Sequence, residues 1–273
     1  GGPPPPILRG GLGGTPPAPA VPAEEVPGVL ARFPGCRTAK VKVAERGQTL
    51  RDDTDRVRAA REAMGDDALI RVDANGGWSV GEAEAALRAL APFGLEYAEQ
   101  PCATIAELAE LRARLAAGRG GAGARPPAGE KGRKAEDPLA VARAGAADLL
   151  VVKAQPLGGV ARALGIVREA GLPVVVSSAL DTSIGIAMGL HLAGALPDGV
   201  LAGACGLGTV ALLEGDVTRE PLLPLEGGLP VRRPALDKGL LERYAAPPER
   251  DVWWRERIAR CFAILDRLAT LEA

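Results

Sequence analysis

From residue 39 onward, short apolar runs of strand length alternate with segments of helical periodicity. Residues 39–43 (AKVKV) read as a strand, and residues 54–64 as a helix with Val57, Ala60 and Met64 at helical spacing. Residues 68–73 (ALIRVD) read as a strand. A helix over 79–92 opens on a capping box of Ser79 and Glu82. Residues 95–98 form a short strand, followed by a helix over 104–115 with a second capping box, Thr104 and Glu107. Asp137-Pro138 starts another helix, because proline is accepted at the first helical position. Then come a strand over 148–152 (DLLVV), a helix over 160–170, a strand over 173–177 (PVVVS) and a helix over 183–196. Continuous apolar strands alternating with helices specify parallel β/α units, and so many units in one chain favour a closed barrel over an open sheet. Aromatics make up only 3% of a chain that is 47% hydrophobic. Small branched side chains must therefore fill the interior, as they do in packed parallel barrels.

Two stretches interrupt this rhythm. Residues 1–28 are rich in Pro and Gly, and little regular structure is expected there. A similar stretch over 116–134 (AAGRGGAGARPPAGEKGRK) interrupts the otherwise regular pattern between the helix over 104–115 and the one that Asp137-Pro138 starts. The organisation is read as a low-complexity segment over 1–28, a barrel over 29–216, and a Pro-rich tail over 217–273 with one helix near 252–268. Lys plus Arg total 33 and Asp plus Glu 34, a balance that gives no electrostatic footprint for nucleic acid or an anionic membrane. No apolar run is long enough to span a bilayer and no signal peptide is visible, so a cytoplasmic protein is expected. Cys36, Cys102, Cys205 and Cys261 show no CxxC spacing, and His191 is the only histidine, which speaks against a Cys/His metal site and for free thiols.

Chemistry in β/α barrels sits at the C-terminal ends of the strands. Those ends carry Lys40 and Lys42, Asp73 followed by Asn75, Glu99, Lys153, Ser177 and Ser178, and the ACGLGT run with Gly206 and Gly208. Each has an ordinary reading as a turn residue or surface charge. Together, lysines and carboxylates on successive strand ends suit removal of a proton α to a carboxylate. The dianionic enediolate so formed needs a hard divalent cation on its oxygens and a base nearby.

The runs TAKVKV, RVDANGGW, YAEQPC, KAEDPLAVARAGAADLLVVKAQPLGG, SSALDTSIGIA and ACGLGTVALL resemble o-succinylbenzoate synthases of the actinobacterial kind, within the muconate-lactonising group of the enolase superfamily. The resemblance covers about residues 20–260 and implies an α/β fold, a TIM-like (β/α)7β barrel whose N-terminal capping domain is largely absent here. It implies a carbon–oxygen lyase that dehydrates 2-succinyl-6-hydroxy-2,4-cyclohexadiene-1-carboxylate to 2-succinylbenzoate, in menaquinone biosynthesis, with Mg²⁺ or Mn²⁺. By resemblance, Lys42 is the base and then the acid, Lys40 its electrostatic support, and Lys153 a cation on the opposite face. Asp73 and Glu99 are metal ligands with Asn75 beside them. Ser177, Ser178, Gly206 and Gly208 contact the substrate.

The family's third metal ligand, an aspartate, aligns with Gly129. Neighbouring strand residues face opposite sides, so by this resemblance Glu130 would not replace it without a register shift. Two other readings stay open: a non-catalytic remnant of the family, and an N-acylamino-acid racemase or dipeptide epimerase of the same superfamily. A small carboxylate is the expected partner in either catalytic reading.

Overall fold

The computed structural model describes residues 17–18, 20–117 and 138–271. Its strands form two parallel arcs around one interior. The first arc runs in the order β1 (Pro17–Ala18), β2 (Thr38–Lys42), β3 (Leu69–Asp73), β4 (Leu95–Glu99). The second pairs β5 (Leu150–Val152) with β6 (Val174–Val176), and single parallel bridges join it to Leu201 and Gly206. These are the sixth, seventh and eighth positions of a β/α barrel. The fifth strand, expected within residues 116–134, falls outside the described residues beyond Ala117.

Side-chain alternation sorts the strands' two faces. Ala39, Val41, Ile70, Val72, Ala98, Leu150, Val152, Val174 and Val176 join the main core beneath the surrounding helices. Tyr97, Val151 and Val175 form a second cluster. These follow the opposite parity and therefore line the barrel interior. Arg71 fills the same space, 1% exposed. Its guanidinium donates to Glu96 at 2.6 and 3.3 Å and to the Ala204 carbonyl at 2.6 Å, and lies 4.7 Å over the Tyr97 ring. Arg71 therefore ties the first arc to the eighth position.

The helices are α1 (Val26–Leu30), α2 (Leu50–Met64), α3 (Val80–Leu90), α4 (Ile105–Ala117), α5 (Pro138–Arg143), α6 (Val160–Ala170), α7 (Ser183–Gly194), α8 (Lys238–Arg243) and α9 (Pro248–Leu271). The expected capping interactions are present at Ser79–Glu82 and Thr104–Glu107. Three expectations need correction. Helix α2 begins at Leu50 rather than residue 54, because Thr49 and Asp52 form a third capping box with Asp in the acidic role. Residues 17–30 are more regular than their composition suggests. Pro17 sits at the first position of a strand, where a missing N–H is tolerated, and Pro27 lies in the first turn of α1. The segment after 217 contributes to the core through fully buried Leu222 and Leu229. It also contains α8, a helix the sequence reading did not foresee. In α9, Trp253 and Trp254 stack edge to face, and Trp254, Ile258, Phe262 and Leu265 are exposed. Cys36, Cys102, Cys205 and Cys261 are free thiols.

Candidate active site at the barrel mouth

Parallel register brings the first four site residues together. Lys40 pairs with Arg71 and Tyr97 in one layer, and Lys42 with Asp73 and Glu99 in the next. Paired residues in neighbouring strands point to one side of a sheet, so both lysines and both carboxylates face the interior. The Lys40 ammonium bridges Asp73 Oδ2 at 2.7 Å and Glu99 Oε2 at 2.6 Å, and Lys42 reaches Asp73 Oδ2 at 2.5 Å. Both carboxylates are buried.

The backbone around Lys42 is held from α2. Arg56, fully buried, donates to the Lys42 carbonyl at 2.9 Å, to the Val21 carbonyl at 2.8 Å and to Asp53 at 3.0 Å. Asp53 in turn accepts from the Ala44 N–H at 3.0 Å. This Arg56–Asp53 pair escaped the sequence reading, since alternating charges in a helix's first turns usually lie in solvent. The starting signal of α2, the Thr49–Asp52 box, would have placed both on its inner face.

Electrostatics divides the two lysines. Burial would depress Lys40, but the charges of Glu99 and Asp73 outweigh it and hold its pKa above the usual lysine range. Lys42 is depressed by burial and by its neighbour Lys40, against the pull of Asp73. The two ammonium groups overcome the burial penalty on Asp73 and keep its carboxyl well below the usual carboxylate range. Lys40 is thus a permanent cation, and Lys42 gives up a proton more readily than an ordinary lysine.

The strand ends turn sharply outward. Ala44, Asn75 and Gln100 follow β2, β3 and β4 with φ of 60°, 48° and 43°. Such values are strained for side chains other than glycine and are concentrated at functional rims. The buried Asn75 Oδ1 and Gln100 Oε1 have no hydrogen-bond partner among the described residues. Among the described residues the mouth therefore offers acidic and amide oxygens: two carboxylates that share the Lys40 ammonium, with two amide oxygens next to them in sequence. That donor chemistry fits a hard divalent ion held by one or two carboxylates plus substrate oxygens. Among the described residues no group of three His, Cys, Asp or Glu gathers into a metal centre. Gly129 and Glu130 lie outside the described residues.

The second arc supplies the remaining candidates. Lys153 shares the parity of Val151, which faces the interior, and its ammonium donates to the Ser178 carbonyl. The Ser178 hydroxyl contacts the Gly206 carbonyl at 3.0 Å and Thr209 Oγ1 at 2.8 Å. Ser177 bridges Gly206, where an added Cβ would stand 2.8 Å from the Ser177 hydroxyl, so any larger residue there must displace that hydroxyl. Gly208 lies just beyond, at the start of a short 3-10 turn.

A family model described as Enolase C-terminal domain-like matches residues 28–239. The o-succinylbenzoate synthase of Mycobacterium tuberculosis is 53% identical over 264 residues, covering 96% of this chain and 77% of that protein. This chain belongs to the o-succinylbenzoate synthase family of the enolase superfamily. The Mycobacterium ulcerans member is 52% identical over 268 residues, 97% of this chain and 78% of its own. Among solved structures, 2-chloromuconate cycloisomerase from Rhodococcus opacus superposes with a TM-score of 0.73 at 26% identity, over 88% of this chain and 67% of that one. A Cytophaga hutchinsonii dipeptide epimerase complexed with Mg and a dipeptide gives 0.70 at 23% identity, over 86% and 64%, a likeness of fold alone. The family membership and these neighbours establish the α/β barrel expected from the sequence.

Proposed function

We propose that this chain is a lyase that dehydrates 2-succinyl-6-hydroxy-2,4-cyclohexadiene-1-carboxylate to 2-succinylbenzoate, the o-succinylbenzoate synthase reaction of menaquinone biosynthesis. The reading rests on the layer of Lys42, Asp73 and Glu99 with Lys40 bridging the two carboxylates. Identity of 52–53% to synthases, against 23–25% to dipeptide epimerases of known structure, supports dehydration over epimerisation.

In this reading neutral Lys42 takes the C1 proton, and the C–H electron pair moves onto the carboxylate as an enediolate. Those electrons then return to form the C1–C6 double bond as the C6–OH bond breaks. Lys42 passes the same proton to the departing hydroxide, water leaves, and the lysine is neutral again. Aromatisation makes the second half downhill. Lys40, held cationic, keeps Lys42 depressed and supports the negative charge. Lys153, whose ammonium has donors beyond the one on the Ser178 carbonyl, would face that charge from the other arc. Ser177, Ser178 and the Gly206–Gly208 backbone would hold the succinyl arm. A divalent ion, Mg²⁺ or Mn²⁺, would be held by Asp73 and Glu99 beside Asn75 and, when bound, supplies Lewis-acid stabilisation of the enediolate.

With Gly129 at the third ligand position the chain would work with a reduced ligand set. Restoring one charged ligand is worth about 3–4 kcal/mol, or roughly 10²–10³ in rate. The test is the dehydration rate at saturating Mg²⁺ for this chain and for Gly129→Asp. A faster variant supports both the site and the missing ligand. No activity in either, beside an active full-length relative, overturns the reading in favour of a non-catalytic family member. No helix among the described residues is long and apolar enough to cross a membrane, and a cytoplasmic location is the accompanying proposal.

A further inference from the structure

Two neighbouring lips of the mouth, residues 153–159 after β5 and 177–182 after β6, are joined by more than Lys153. Gln155 lies two residues beyond it on the same lip. Its side-chain amide donates to Asp181 Oδ2 and to the Gly185 carbonyl, both at 3.1 Å. Asp181 Oδ2 also accepts from the Ala179 N–H at 3.0 Å. The fit is close: a Cβ on Gly185 would stand 2.8 Å from the Asp181 Cβ. Thr209 holds the second lip from its far side through the Ala179 carbonyl at 2.6 Å. Gln155 is itself fixed by the turn that follows, in which Gly158 N–H donates to the Gln155 carbonyl at 3.1 Å and Gly159 N–H to the Ala154 carbonyl at 2.8 Å.

Lys153 and Gln155 thus grip the same lip, but with different consequences. A substrate anion competes with the Ser178 carbonyl for the Lys153 ammonium, so a lip held by Lys153 alone would loosen as the ammonium turns toward the anion. The amide–carboxylate contact does not involve the reacting atoms and persists. The geometry points to Gln155 and Asp181 as positioning residues: a clasp that keeps the two lips in register while Lys153 turns from Ser178 to substrate. This inference rests on the dehydratase reading for the identity of the substrate. The clasp's hold on Lys153 does not depend on it.

The test uses an exchanged pair in the full chain. Gln155→Glu sets two carboxylates against each other, and adding Asp181→Asn restores an amide–carboxylate contact with the partners reversed. Acylation of Lys153 by limiting acetic anhydride is read by mass spectrometry against exposed Lys238 as reference. It should be at least about threefold faster in Gln155→Glu and move most of the way back in the double variant, which regains the amide–carboxylate contact but not the donation to the Gly185 carbonyl. In the dehydration assay kcat should fall about tenfold in Gln155→Glu with a smaller change in KM, and recover in the double variant. Unchanged labelling in Gln155→Glu, or no recovery in the exchanged pair, overturns the clasp. So does a labelling change with unaltered kcat in an active protein, which would make the contact structural only. If labelling follows the clasp while no form dehydrates the substrate, the clasp stands and the assigned reaction falls.

Discussion

Removing the carboxylate of Glu96 tests the barrel's interior most directly. Arg71 sits 1% exposed between the two arcs, and Glu96 accepts two of its N–H groups at 2.6 and 3.3 Å. Glu96→Ala removes the carboxylate that accepts these two N–H groups, while the donation to the Ala204 carbonyl and the contact with the Tyr97 face remain. Breaking a buried ion pair by deleting one partner costs about 3–5 kcal/mol. The Glu96 side chain keeps 19% exposure, so water recovers part of the loss and about 3 kcal/mol is expected. For a domain of this size that is a fall in Tm of roughly 6–12 °C. The control is Glu84→Ala, which removes the exposed 2.8 Å pair with Arg88 and should cost below about 1 kcal/mol. Thermal and urea unfolding followed by circular dichroism compare the two. If Glu96→Ala costs no more than the surface control, Arg71 is reached by water and does not act as an internal tie between the arcs.

Further outcomes follow from the mouth and its supports. Lys42→Met should lower the dehydration rate by about 10²–10⁴ while leaving the circular dichroism spectrum unchanged. Because Lys40 helps depress Lys42, Lys40→Met should move the acidic limb of the kcat/KM profile to higher pH. A limb that stays put or moves down would break the assigned coupling. Gly206→Ala places a methyl against the Ser177 hydroxyl and should raise KM more than it lowers kcat, with about 1–3 kcal/mol lost in urea titration. Ser183→Ala removes a buried hydroxyl that donates to Asp216 and accepts from the Leu222 N–H at 2.7 Å, and unfolding free energy should fall by about 1–3 kcal/mol.

The residues that carry chemistry were legible where periodicity alone decides orientation. Lys40 and Lys42 alternate with Ala39, Val41 and Val43, whose apolarity fixes which face is packed under helices. Asp73 and Glu99 each end an apolar run, and parallel register does the rest. Arg71 was illegible because one arginine in ALIRVD looks like a solvated strand residue. Its burial depends on Glu96, brought alongside by a register shift between Ile70 and Arg71 that leaves no local signature. Gln155 and Asp181 escaped for another reason: they meet across two loops 26 residues apart, and only the closing of β5 on β6 makes them neighbours. The Pro-rich opening misled in the opposite sense, since composition measures a segment's own preference and not the pairing that β2 offers to Pro17 and Ala18.

The placement of tryptophans has a practical consequence for spectroscopy. Of the three in the chain, Trp253 and Trp254 stand exposed on α9, so native emission carries a long-wavelength background that unfolding changes little. Trp78 follows the Asn75–Gly77 turn, and its backbone N–H donates to the Pro101 carbonyl beside Gln100. Replacing the α9 pair with phenylalanine would leave one fluorophore reporting from the rim. Divalent-ion or product titrations could then be read optically without attaching a label.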